Sequence, residues 1–252
     1  MTNLFNAIIF LPLYNGLVGI MDVVPGVDVG IAVIIFTCVI RLILFPLSKS
    51  ALLTQVRMKE IEPEANKIKL QYKDDRQTQA LKVMELYKSR KIHPFSGVLL
   101  LFIQLPILLA LISVFYKITP TIHPELLYSF IHLPTIKPTL LGLDLLNKSL
   151  ILALITAVIQ YFQMHFSLAA RQQNTISANT IKNGGKLDSS AQLATSMNKQ
   201  MKYFLPVVAF VSLYWLIPAR YPQAAAIIAI YWSVSALFTL GQELYIRKRH
   251  LE

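Results

Sequence analysis

Five apolar runs, each of fifteen residues or more, leave this 252-residue chain little choice of fold: Val29 to Leu47, Phe95 to Tyr116, Leu150 to Leu168, Tyr203 to Ile217, and Gln223 to Leu240. Hydrocarbon offers no water to backbone N–H and C=O groups, so segments of this kind cross a bilayer as α-helices that satisfy their own hydrogen bonds. The expected fold class is all-α, a polytopic membrane bundle of five transmembrane helices. The fourth run is the short one. Its fifteen residues rise only about 22 Å, so it must be extended by its flanks or sit where the bilayer is thin. A composition that is 55% hydrophobic and a mean hydropathy of +0.54 exclude an ordinary soluble domain.

An earlier apolar segment, Leu4 to Met21, is interrupted by Pro12, Asn15, Gly16 and Gly19 and lacks the basic start of a secretory signal. It reads as an interfacial helix within residues 1–27, with a sixth span as the alternative. The distribution of Lys and Arg sets the orientation. None precedes Val29, eleven lie in 48–94, three in 116–149, five in 169–202, one in 218–222 and three after Gly241; Arg41 completes the 24. Poor and rich loops alternate as the positive-inside rule requires for an outside N-terminus, five crossings and an inside C-terminus. The chain then divides into an extracytoplasmic helix (1–27), a first span (28–53), a cytoplasmic helical hairpin (54–93) and a second span (94–117). An extracytoplasmic loop (118–148), a third span (149–170) and a flexible cytoplasmic loop (171–199) follow. A fourth span (200–217), a turn (218–221), a fifth span (222–243) and a cytoplasmic tail (244–252) complete it.

Within the first run stands Arg41, a guanidinium in a segment that is otherwise apolar. Placing it at the centre of a spanning helix costs about 2.5 to 3.5 kcal/mol on insertion scales, so intramembrane arginine marks a working surface. Other polar residues share its depth. Thr37 and Arg41 are four apart, Thr156, Gln160 and Gln163 follow i, i+4, i+7, and Ser235, Thr239 and Gln242 repeat that spacing, so each set forms one helical stripe. Gln104 lies in the same half of the second, oppositely directed span. Trp232 sits too deep for an interfacial aromatic belt and is expected to line the groove or pack in the core. No acidic residue falls within the five runs, so the stripes are expected to enclose a hydrated groove around an unpaired Arg41. Packing between helices is the other reading of the amides and hydroxyls.

Enzymatic chemistry has no visible seat. No Walker loop, dinucleotide-binding glycine pattern, zinc signature or nucleophile elbow occurs, so neither cofactor nor metal is expected. The formal charge of +11 lies between hydrophobic spans, which favours orientation and anionic lipid over any specific nucleic acid, with ribosomal RNA as a secondary partner. Cys38 is the single cysteine, so no internal disulfide forms.

Between the first two runs, Ile61, Ala65, Ile68 and Tyr72 keep helical spacing, and Ala80, Met84 and Tyr87 resume it after Lys73-Asp74-Asp75. The spacing predicts an antiparallel helical hairpin, with Pro63 in a first turn and the acidic tip capping the second helix. The segment Gln172 to Ser196, rich in Ser, Asn, Thr and Gln, reads as a flexible loop.

Several short strings carry a family resemblance. They are Arg41-Leu-Ile-Leu-Phe-Pro46, the hairpin string from Lys59 to Asp75, His93-Pro94-Phe95-Ser96-Gly97, Gln104-Leu105-Pro106-Ile107, Leu141-Gly142-Leu143-Asp144-Leu145, Met201-Lys202-Tyr203-Phe204-Leu205-Pro206, and Tyr231-Trp232 with Phe238-Thr239-Leu240-Gly241-Gln242. In this order the chain resembles the YidC family of membrane protein insertases from Val29 to about Ile246. The resemblance implies a multi-pass protein of the bacterial cytoplasmic membrane. Its groove would open to the cytoplasm and sideways to the lipid bilayer, receive the polar tails of nascent membrane proteins, and perform no enzymatic step. It carries the groove arginine onto Arg41 and groove positions onto Gln160 and Trp232. A Sec translocon and the ribosome are the further partners it implies, although the tail is shorter and less basic than in members held to bind ribosomes. Neither a large periplasmic domain nor a lipobox cysteine is visible. A small-solute or anion transporter, or a lipid scramblase, using the same groove remain the alternative functions.

Overall fold

The computed structural model describes residues 3–24, 26–92, 96–118, 121–180, 200 and 203–251. Phe95, the expected start of the second span, and 181–199 of the expected cytoplasmic loop lie outside them. The described chain is a helical bundle with one small hairpin of strands. Helix α1 (Leu11–Val23) continues a turn of helix at Asn3–Phe5 and a π-helical stretch at Asn6–Phe10. Then come α2 (Val29–Ile43), α3 (Phe45–Glu60), α4 (Glu62–Gln71), α5 (Arg76–Ser89) and α6 (Ser96–Ile118). Strands β1 (Thr139–Leu140) and β2 (Leu143–Asp144) pair antiparallel, and α7 (Leu150–Thr180), α8 (Tyr203–Arg220) and α9 (Ala225–Leu251) complete the molecule.

Among the described residues, four helices are long and apolar enough to cross a bilayer, or five if α2 and the first part of α3 form one broken span. One of the four is Asn6–Val23, which meets the length criterion the sequence had left to an alternative. Asn15, in its middle, donates to Leu126 O at 2.9 Å and accepts from Tyr128 N at 2.7 Å, and Tyr14 Oη accepts from His123 N at 2.8 Å. The middle of this helix is thus tied to the loop that follows α6.

Proline chemistry shapes two spans differently from a straight reading. Pro46 has no N–H to offer the carbonyl of Leu42, so the helix breaks at Leu44 and α3 leaves α2 at 58°. In α8 the helix runs through Pro218 to Arg220 instead of stopping at Ile217, which gives the short fourth span 18 residues. A π-helical stretch, Ser212–Leu216, lies immediately before that proline and shifts the hydrogen-bond register to accommodate it. Likewise α7 continues to Thr180, past the expected end at residue 170, because Ala169, Ala170, Arg171, Gln172 and Gln173 are all good helix formers.

Packing is uneven along the bundle. Val29, Val33 and Phe36 of α2, Leu111, Val114, Phe115 and Ile118 of α6, and Ala224 through Tyr231 at the head of α9 are all buried, together with Tyr14, Leu17 and Val18 of α1. These residues occupy the end of the bundle that holds the start of α2. Lipid tails are as apolar as these side chains, so close contact rather than exclusion from water holds the helices; Ala224, Ala225, Ala226 and Ala229 let α9 approach its neighbours. The opposite half of the bundle is where the polar stripes fall. Outside, Phe102, Leu105, Leu154, Val158, Val207 and Leu216 are exposed, an apolar mantle that water would not tolerate and a bilayer covers.

The hairpin follows its sequence. Asp75 accepts from Gln77 N, Thr78 N and the Thr78 hydroxyl and so caps α5, Pro63 sits in the first turn of α4, and Arg90 Nη2 donates to both carboxylate oxygens of Glu64 at 2.8 and 3.1 Å across the base. Helix α5 ends with Lys91 at φ 53°, where Ile92 N donates to Tyr87 O and Lys91 N to Lys88 O. This is a Schellman closure with lysine in the position glycine usually takes.

Candidate functional site: an arginine recess among helix amides

Four helices converge on one concavity of about 180 Å³, lined by Arg41 of α2, Gln104 and Leu108 of α6, Gln160 and Gln163 of α7, and Tyr231, Trp232, Ser235, Ala236 and Thr239 of α9. It has room for on the order of ten waters. Seven of the ten positions expected from sequence are brought together here: Arg41, Gln104, Gln160, Gln163, Trp232, Ser235 and Thr239. Arg41, Gln160, Gln163, Trp232 and Thr239 are each partly exposed, so the recess is open rather than sealed.

Three expected positions stand elsewhere, each for a physical reason. The Thr37 hydroxyl is fully buried and donates to Val33 O of its own helix at 2.6 Å, which ends its need for water. Thr156 is also fully buried, with its hydroxyl 2.7 Å from Leu152 O, 3.1 Å from Ala229 O and 2.9 Å from Ser233 Oγ. Having one proton, it donates to a carbonyl and accepts from Ser233, joining α7 to α9. Gln242 is turned to the bend, where its Nε2 donates to Ser48 Oγ at 2.6 Å and reaches Phe45 O at 3.4 Å. It ties α9 to the broken first span.

Inside the recess, Gln104 Nε2 donates to Tyr231 Oη at 3.1 Å, and Thr239 Oγ1 donates to Ser235 O at 2.8 Å. Ser235 is only 5% exposed and its Oγ has no partner among the described residues. A buried hydroxyl left this way costs roughly 1 to 3 kcal/mol, which water entering the recess would relieve. Arg41 forms no ion pair among the described residues. The electrostatic content is therefore one fixed positive charge among neutral amides and hydroxyls, aromatic on one wall.

One lining residue, Tyr231, was not among the ten expected site positions, and its hydroxyl is what fixes Gln104. Glu243, the last residue of the expected fifth span (222–243), is buried outside the recess lining and accepts from Ser167 Oγ at 3.1 Å, while the apolar stretch continues to Ile246. Continuing the spacing of Ser235 and Thr239 by four more residues leads to Glu243. No group of His, Cys, Asp and Glu able to hold a metal occurs among the described residues.

A bundle of apolar helices around a cationic, amide-lined recess defines a multi-pass membrane protein. The comparison with known families agrees over nearly the whole chain. Residues 20–252 match the family described as 60Kd inner membrane protein, and the chain belongs to that family, which is the YidC family. It is 28% identical over 249 residues to a protein of Clostridium tetani named membrane protein insertase YidC, covering 98% of this chain and 95% of that one. It is 43% identical over 82 residues to the protein of the same name in Francisella tularensis subsp. novicida, a match covering 32% of this chain and 15% of the relative.

Proposed function

We propose that this protein is a membrane protein insertase that moves hydrophilic segments of nascent membrane proteins through the Arg41 recess and releases their apolar segments into lipid. The observation that carries the reading is Arg41 itself, a charge without an ionic partner among the described residues, set in a recess whose other polar walls are amides and hydroxyls. The name borne by the relatives supports it.

The mechanism needs no covalent step. Moving a polar segment into hydrocarbon is opposed by several kcal/mol for each unsatisfied group, and waters in the recess shorten the dry part of the path. Arg41 draws acidic residues of the substrate tail upward, while Gln104, Gln160 and Gln163 exchange hydrogen bonds with its backbone. The substrate's own stretch of about 20 apolar residues then partitions into lipid and supplies the driving force. The positive-inside distribution orients the protein with the recess toward the cytoplasm of a bacterial inner membrane, α1 at the extracytoplasmic interface and the α4–α5 hairpin in the cytoplasm. The hairpin is then the first contact for a nascent chain, with the ribosome and a Sec-type channel as its suppliers.

The test is insertion of an acidic-tailed substrate into proteoliposomes by Arg41→Lys and Arg41→Glu. Lysine is expected to retain most activity and glutamate to lose at least tenfold. Equal rates would overturn electrostatic attraction, and anion flux or headgroup exchange in vesicles lacking substrate would move the recess to a transporter or scramblase role.

A further inference from the structure

A second concavity lies at the other end of the first span, about 690 Å³ in volume, between α1, the loop that follows α6, and α2. Gly16, Gly19 and Ile20 form one wall, Phe130 and Ile131 face them, and Ile35 of α2 closes the inner side. The volume falls within the roughly 300 to 1,000 Å³ of small-molecule sites.

Most of its polar atoms are already engaged. Asn15 uses both amide hydrogens on Leu11 O and Leu126 O and its oxygen on Tyr128 N, and the Asp22 carboxylate accepts from His132 N at 3.2 Å. Water admitted here would find few partners, and a cleft of this kind takes an apolar occupant. Two observations identify which. The inner wall is continuous with the lipid-facing side of α2, where Ile35, Val39, Leu42 and Ile43 are all exposed, and the rim carries Tyr128 and Phe130, exposed aromatics of the type that settle at headgroup level. The cleft thus opens sideways into the bilayer just beneath its surface.

We infer that this cleft is a phospholipid site, in which one acyl chain lies between α1 and α2 against the two glycines, with its headgroup at the rim. Gly19 leaves the room: a Cβ there would meet only Ile131 Cδ1 at 3.8 Å, ordinary contact, so a side chain grown from it enters the cleft and displaces the chain, whereas a Cβ at Gly16 would press on the Phe36 ring at 3.2 Å. A methylene held in such a site gains little relative to bulk lipid, so shape sets occupancy and the lipid exchanges.

The experiment uses the full chain in liposomes containing a phosphatidylethanolamine with a diazirine on one acyl chain, photolysed and mapped by peptide mass spectrometry. Adducts on residues 16–24 and 128–131 are expected to exceed those on the lipid-facing Phe102 and Phe204 by threefold or more. Gly19→Trp should bring cleft labelling down to the level of those two positions while leaving their own labelling unchanged. Ile131→Trp fills the cleft from the opposite wall and should do the same, so one poorly folding variant does not decide the matter. Labelling of the cleft no greater than at Phe102 and Phe204, or excess labelling that both tryptophans leave intact, overturns the assignment.

Discussion

Gln104 of the second span and Tyr231 of the fifth meet at 3.1 Å, the amide nitrogen donating to the phenolic oxygen, at the boundary between the tightly packed half of the bundle and the Arg41 recess. Tyr231 is buried and its ring lies 5.9 Å from that of Phe115, so the hydroxyl is presented by a fixed platform. Replacing it by phenylalanine keeps the platform and removes the acceptor. Tyr231→Phe is expected to lower thermal stability in detergent by about 1 kcal/mol, and Gln104→Leu by a similar amount. The double variant should cost less than the two together, because each single change removes the same bond.

The two buried threonines should respond differently. Thr37→Val loses only a bond to its own helix and is expected to stay within about 0.5 kcal/mol of the parent, whereas Thr156→Val strands Ser233 Oγ and is expected to cost about 1 to 2 kcal/mol. Thermal unfolding of both variants side by side checks this. A larger loss for Thr37→Val would mean that its hydroxyl has a role beyond its own helix.

Gly30 marks where the first span touches the β-hairpin. A Cβ there would stand 2.6 Å from Leu140 Cβ and 2.8 Å from its Cδ1, too near for adjustment at a side-chain tip. Gly30→Ala is expected to destabilise by about 1 to 3 kcal/mol despite the better helix propensity of alanine. Leu140→Gly in the same chain, which alone removes the Cβ at 2.6 Å, should recover more of the loss than Leu140→Ala, which keeps it.

At the end of α5, Lys91 holds φ 53° in a position that suits a residue without Cβ. Lys91→Gly should stabilise the hairpin by roughly 1 kcal/mol, and hydrogen exchange of the Ile92 amide should slow about fivefold. Lys91→Val should accelerate it.

Asp75 gives the hairpin a pH response. The Thr78 hydroxyl, followed by the Thr78 and Gln77 amides, holds its carboxyl below the usual carboxylate range. A carboxyl depressed in the folded state contributes its stabilisation above the ordinary value near 4, and that contribution fades as pH falls through the depressed value. Amide protection over residues 76–80 should therefore be constant from pH 8 to 5 and decline below about 4. Asp75→Asn, which keeps an oxygen acceptor without the charge, should show weaker protection and a flatter profile.

Helical periodicity made Arg41, Gln160, Gln163, Ser235 and Thr239 legible, because a stripe at i, i+4 and i+7 has only one face to occupy. Periodicity also misled at Thr37 and Thr156. They lie on stripes, but a threonine hydroxyl can bond the carbonyl four residues back, so its polarity says nothing about water. Gln242 was misplaced by the bend, since a helix that turns at Leu44 brings Ser48 under the end of α9, where a straight one would not. The hairpin was hidden for another reason. Leu141 at φ 50° and Gly142 at φ 88° make its two-residue turn, and leucine is not a residue from which a left-handed conformation is read.

The 58° break at Leu44 alters the height of every charge beyond it. Along a straight helix Lys49 would stand about 12 Å below Arg41, but five residues inclined by 58° descend only about 4 Å, which leaves the two roughly 8 to 9 Å apart along the direction of α2. An ammonium group keeps company with phosphates, so the lipid headgroups beside α3 must rise to meet it. With α2 along the bilayer normal, the break thus draws the headgroup layer about 3 to 4 Å nearer Arg41 than a straight span would.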